Sequence, residues 1–160
     1  MFQLAKAVSY LHSLDVIHRD IKPENIMLGF WKEVKLADFG WSVYSPNVMR
    51  DTFCGTPDYV PPEILDGNKY SKQVDLWSMG VLFFEMLTGE PPFSEEEKSK
   101  KFAQIKTGYY EIPGDMPYGA RNIIRRLLRV QKEIRLKIED ILEDKYIQSK
   151  IDNKYMPNNV

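Results

Sequence analysis

The chain has 160 residues, 43% of them hydrophobic and 28% charged, with a net charge of −1. That length holds one domain with a real core, and the near-zero balance argues against a nucleic-acid or anionic membrane surface. A single cysteine excludes an internal disulfide framework and suits a reducing compartment, cytoplasmic or nuclear.

Met1 to Leu14 reads as a helix, with Phe2, Ala5, Val8, Ser9 and His12 on one face and Leu4, Ala7 and Leu11 widening the stripe. Nothing caps it ahead of Met1, and no secretory leader is expected. Next comes His18-Arg19-Asp20-Ile21-Lys22-Pro23-Glu24-Asn25, flanked by the apolar runs Val16-Ile17 and Ile26-Met27-Leu28. No helix or strand period runs through it, and Pro23 blocks helix propagation. A polar loop held between two short strands is expected, where a scaffold places chemistry. Gly29 to Lys32 makes the turn to a second strand, Val34 to Ala37, which leads into Asp38-Phe39-Gly40.

Asp38 to Glu63 lacks periodicity, and a stretch this long without regular structure is normally functional or disordered. Lys72 to Thr88 is apolar nearly all round, as a helix buried on all sides would be, with Gly89 as its C-cap and Pro91-Pro92 preventing continuation. Asp75 inside it must be satisfied by hydrogen bonds. It and Glu85 interrupt the most apolar stretch, which is too short to cross a bilayer. Ser94 and Glu97 read as a capping box for a helix to about Thr107, whose Lys98, Lys100 and Lys101 form a solvated face. Tyr118 to Val130 is a helix with Ile123, Ile124, Leu127 and Leu128 inward and Arg121, Arg125, Arg126 and Arg129 outward. Lys137 to about Leu142 is a further short helix, and Ile151 to Val160 is expected to be a polar, loose tail.

The two polar loops together resemble the catalytic loop and the metal-binding loop of protein kinases. From Met1 to about Gln148 the chain resembles the C-terminal lobe of a eukaryotic serine/threonine protein kinase. Lys22 and Gly55-Thr56-Pro57-Asp58-Tyr59 favour that branch. Within it, Ala37-Asp38-Phe39-Gly40-Trp41-Ser42-Val43, Thr52-Phe53-Cys54-Gly55-Thr56 and Asp58-Tyr59-Val60-Pro61-Pro62-Glu63 look most like an Aurora kinase. The resemblance implies a mainly α fold: a helical bundle around one buried central helix, with short β-strands at the catalytic loop and the N-terminal lobe absent. Residues 1–148 would be a catalytic-domain fragment incomplete at its N-terminus, and 149–160 a polar tail.

Roles follow position by position from that resemblance. Asp20 would be the catalytic base and Lys22 would contact the transferred phosphoryl group. Asn25 and Asp38 would hold magnesium with hard oxygen atoms. Lys22, Glu24, Asn25, Met27 and Asp38 would line the ATP site, Met27 beneath the adenine. Thr52 would be an activating phosphorylation site, its phosphate paired by Arg19 and Arg50. Thr56 would bridge Asp20 and Lys22. Glu24 and Glu85 would receive an arginine that precedes the target serine or threonine. His18 and Phe39 would be packed structural side chains, Asp75 would anchor the catalytic loop by its backbone, and Glu63 would pair with Arg135.

The implied partners are protein substrates with that arginine and an activating protein, with neither nucleic acid nor membrane. The implied setting is cell division, at the spindle or centrosome. Three departures stand out. Gln131-Lys132 replaces the usual Asn-Pro turn before Arg135. Met49 and Asp51 flank Arg50, where two basic residues often precede the threonine. No Gly-rich phosphate loop and no Val-Ala-Ile-Lys strand occur in these residues, so residues 1–160 by themselves are expected to be inactive. The alternative is a non-catalytic, kinase-like lobe that binds partners as a scaffold.

Overall fold

The computed structural model describes residues 1–44 and 57–151. It is about half helical, with two small antiparallel sheets. Helix α1, Phe2–Ser13, is followed by β1, Val16–Ile17, and a loop that ends in a 3-10 turn at Pro23–Asn25. Strand β2, Ile26–Leu28, turns back as β3, Val34–Leu36, and β4, Val43–Tyr44, returns to pair with β1. The register sets Ile26 opposite Leu36 in one sheet and Ile17 opposite Val43 in the other. The β1–β2 loop and the β3–β4 loop are thereby brought side by side.

The long aperiodic stretch is less bare than its sequence implies. Besides β4 it holds a 3-10 turn at Pro57–Tyr59 and helix α2, Pro62–Leu65, which opens on proline as a first helical turn permits.

Helix α3, Gln73–Thr88, forms the centre, and every residue from Val74 to Phe84 is buried. It ends where expected, because Gly89 adopts φ 89°, a left-handed conformation that glycine takes without steric cost. Gly80 sits where helix α5, Tyr118–Leu127, crosses. A Cβ there would lie 2.8 Å from the Leu127 Cβ, so the two backbones approach too closely for any side chain. The stacked rings of Trp77 and Phe93, 5.6 Å apart, extend the same core.

Three sequence expectations need correction. Helix α4 is Lys98–Thr107 and begins after Glu97, which caps it through backbone only; Ser94 is exposed and there is no capping box. The Glu97 carboxylate is drawn instead to the Ser99 hydroxyl and to Lys100, 3.0 Å away. Helix α5 stops at Leu127, not Val130, because the next carbonyls serve another purpose: Arg129 O accepts from Arg135 Nε and Nη2 at 3.1 and 2.9 Å. Arg121 does not point outward, since its guanidinium curls back onto the carbonyls of Gly114 and Met116. Helix α6, Ile138–Glu143, agrees with expectation. Helix α7, Lys145–Ser149, was not foreseen, although Asp144 caps it by accepting from Tyr146 N at 2.8 Å.

Glu63 at the start of α2 and Arg135 form a buried two-pronged pair, with Nη1–Oε1 at 2.9 Å and Nη2–Oε2 at 3.0 Å. Arg135 also donates to Gln73 O and lies over the Trp77 ring. The pair binds α2, α3 and the segment before α6 into one unit. Removing one charge strands the other in the interior, so Arg135→Met should destabilise the protein by about 3–5 kcal/mol in urea unfolding. Arg135→Met combined with Glu63→Leu should cost less than the sum of the single changes.

Candidate active site

Asp75 is fully buried on α3, and its carboxylate reaches out of the helix to the β1–β2 loop. Oδ2 accepts from the backbone N–H of His18 at 3.0 Å and Oδ1 from that of Arg19 at 2.8 Å. His12 of α1 adds a third bond, its Nε2 lying 2.8 Å from Oδ2. A carboxylate of this kind only accepts, so Nε2 carries the hydrogen.

Two residues of the neighbouring loops have unusual backbone conformations. Arg19 has φ 70° and Asp38 φ 58°, in the left-handed region that non-glycine residues enter only when their surroundings hold them. The Arg19 N–H is held by Asp75, and its side chain by Trp41 O, by Tyr70 Oη at 2.6 Å and by the Tyr70 ring. Asp38 stabilises its own turn by accepting from Gly40 N at 3.1 Å.

The neighbouring loops are joined side to side. His18 Nε2 donates to Ala37 O at 3.0 Å, and Ala37 N donates to Asn25 O at 2.8 Å. Asp20 N approaches His18 Nδ1 at 3.3 Å, so His18 bears its hydrogen on Nε2 and accepts on Nδ1. His18 is fully buried. Phe39 packs edge-on against it at 5.1 Å, with 49% of its surface exposed.

Asp20 is the focus of these bonds. It is buried, yet it opens on polar partners: Lys22 Nζ lies 2.9 Å from Oδ2, and Asn25 Nδ2 donates both to Oδ2 at 2.9 Å and to the Asp20 carbonyl at 2.7 Å. Lys22 reaches it from extended backbone just before Pro23, as the residue ahead of a proline prefers. The side-chain nitrogen of Asn25 is thus committed to Asp20. Asp38 is exposed, and Oδ2 takes no part in its turn. Among the described residues no three His, Cys, Asp or Glu side chains gather as a metal cluster.

Of the remaining candidates, Met27 is 57% exposed beside exposed Leu28, and Glu24 is exposed on the 3-10 turn. Glu85, near the end of α3, accepts from the Tyr59 hydroxyl. Burial comes first and Glu85 second among the causes that push the Tyr59 phenol well above its ordinary range, with Glu24 and Asp58 adding to them. Arg50, Thr52 and Thr56 lie outside the described residues.

Sequence reading missed His12, Tyr70 and Tyr59 as partners. The signal for His12 was present, because a histidine on the buried face of a helix needs a polar partner, as does an aspartate inside a buried one.

Residues 1–147 match the protein kinase domain, and the chain belongs to the protein kinase family. Within that family it is most like the Aurora kinases. It is 47% identical over 154 residues to Aurora/IPL1-related protein kinase 2 of Caenorhabditis elegans, covering 96% of this chain and 50% of that protein. It is 48% identical over 148 residues to Aurora kinase of Schizosaccharomyces pombe, covering 92% and 42%. Aurora kinase C of Mus musculus is 43% identical over 146 residues, covering 91% and 53%. The chain thus spans about half the length of these relatives. No helix among the described residues is long and apolar enough to cross a membrane.

The His12 bond supplies a test of the anchor from the α1 side. His12→Leu keeps most of the packing but removes one donor to a buried carboxylate, so a loss of about 1–3 kcal/mol is expected in denaturant unfolding. His12→Gln, which keeps a donor, should recover part of it.

Proposed function

We propose that this chain is the C-terminal lobe of an Aurora-like serine/threonine kinase, whose residues 1–148 carry the base, the metal ligands and the substrate groove. The observation that supports this most is the convergence on Asp20: one carboxylate oxygen is held by Lys22 and Asn25, while Oδ1 takes no part in those bonds. In that role Asp20 accepts the proton of the substrate hydroxyl as its oxygen attacks phosphorus. Lys22, already beside Asp20, places positive charge next to the transferred group. By the family resemblance Thr56, which lies outside the described residues, would bridge the two.

The residues fit the cofactor that the family uses. Asn25 and Asp38 both offer hard oxygens free of the bonds described above, which suits magnesium. Lys22, Glu24, Asn25, Met27 and Asp38 line the nucleotide side of the groove. ATP with magnesium supplies the phosphoryl group and offsets its negative charge. Phosphoryl transfer rests mainly on positioning and electrostatic stabilisation, so the isolated 160 residues, with no Gly-rich loop or phosphate-gripping lysine, transfer little.

Arg19 rests on neutral partners, Trp41 O and Tyr70 Oη, and a phosphate on Thr52 would give it and Arg50 an anionic one. An activating protein partner is part of this reading. Cell-division control at the spindle or centrosome is inferred from the Aurora likeness alone.

The substrate is read as a protein with an arginine shortly before its target serine or threonine. Glu24 and Glu85 both act on the Tyr59 hydroxyl, which supports the view that they share one subsite. Charge-assisted bonds to a guanidinium are directional. A peptide array with the intact protein should show arginine preference in the unaltered enzyme and its loss in Glu24→Gln and Glu85→Gln. Transfer that persists in Asp20→Asn would remove the enzymatic reading and leave the scaffold in its place.

A further inference from the structure

The turn Pro57–Tyr59 is fixed to the central helix at two points. Ser78 Oγ donates to Tyr59 O at 3.0 Å, and the Tyr59 hydroxyl donates to Glu85. Asp58 directly precedes Tyr59 in this turn, and its charge bears on the Tyr59 hydroxyl together with those of Glu85 and Glu24. Glu85 is bonded to this turn and Asp58 is part of it, so with the charge of Glu24 three carboxylates act on one short stretch of surface, more than a single arginine needs.

One of them is neutralised by α4. Lys101 Nζ is paired with Asp58 Oδ1. The two side chains are 17% and 27% exposed, so solvent screens this pair less than its neighbours on the same helix. Lys100 pairs with Glu97 at 67% exposure, and Lys106 with Asp66 at 44%. The expected solvated face of α4 thus holds one lysine that turns inward, towards the turn that carries Tyr59.

We propose that Lys101 is a specificity-determining residue: by masking Asp58 it leaves Glu24 and Glu85 as the acids open to substrate, and so tunes the groove to one arginine rather than two basic residues. The proposal rests on the reading that Glu24 and Glu85 receive the substrate arginine. Lys101 does not touch the reacting atoms. It acts through Asp58, on the charge of the groove.

The experiment uses the intact protein and two synthetic peptides, one with a single arginine before the target serine and one with a second arginine beside it. The quantity read is the ratio of their kcat/KM values. That ratio does not depend on the fraction of protein folded, so a purely structural role for Lys101 would not move it. Lys101→Met, which keeps the aliphatic stem, should raise the ratio in favour of the second arginine by about tenfold, equal to roughly 1.4 kcal/mol. Lys101→Arg should leave the ratio as it is. Asp58→Asn with Lys101→Met should restore the unaltered ratio, because mask and masked charge are both gone. An unchanged ratio in Lys101→Met, with the Glu85→Gln loss of arginine preference intact, overturns this proposal and spares the reading beneath it. An unaltered protein indifferent to the first arginine overturns both.

Discussion

The carboxylate of Asp75, buried in the middle of the most apolar helix, is the interaction on which the rest of the site depends. A lone ionised group there would be prohibitive in an apolar medium. It persists because the His18 and Arg19 amides and the His12 ring all donate to it. Those three bonds join α1, the β1–β2 loop and α3. They also fix the direction in which the loop leaves β1, and hold Arg19 at a positive φ that it would otherwise avoid.

From this anchor the chemistry is positioned step by step. His18, fixed by its backbone, uses one ring nitrogen on Ala37 and offers the other to Asp20 N. That registers the Asp38 loop against the Asp20 loop. Asn25 then closes the loop on Asp20 from the far side. A second centre, the Glu63–Arg135 pair, holds α2 against the same helix. Both are internal charges satisfied several times over. Buried polar groups thus fix the orientation of the loops and of α2.

Much of this was legible in the residues. The apolar girdle of α3 and its glycine cap have a strong local signature, and Gly89 lies where such a helix must end. The two-strand frame around the polar loop was readable from Val16-Ile17 and Ile26-Met27-Leu28. The family's motifs are dense enough to identify it. What failed was decided by tertiary bonds. Glu97 was read as a capping partner, but its carboxylate prefers Ser99 and Lys100. The end of α5 is set by Arg135 taking the Arg129 carbonyl, which no local pattern near Val130 encodes. Lys101 looks like its exposed neighbours in sequence and differs only through a partner 43 positions away.

Amide hydrogen exchange at His18 and Arg19 is the most direct test of the anchoring role of Asp75. In the unaltered protein both amides should be strongly protected, comparable to those of Ile123 and Ile124 in α5. In Asp75→Asn, the side chain retains one acceptor oxygen for two backbone donors. Protection of at least one amide should fall roughly 10- to 100-fold relative to Ile123 and Ile124, the range for leaving a buried donor unpaired. Equal relative protection in both proteins would mean that the loop is held by other contacts, and that Asp75 does not organise the site.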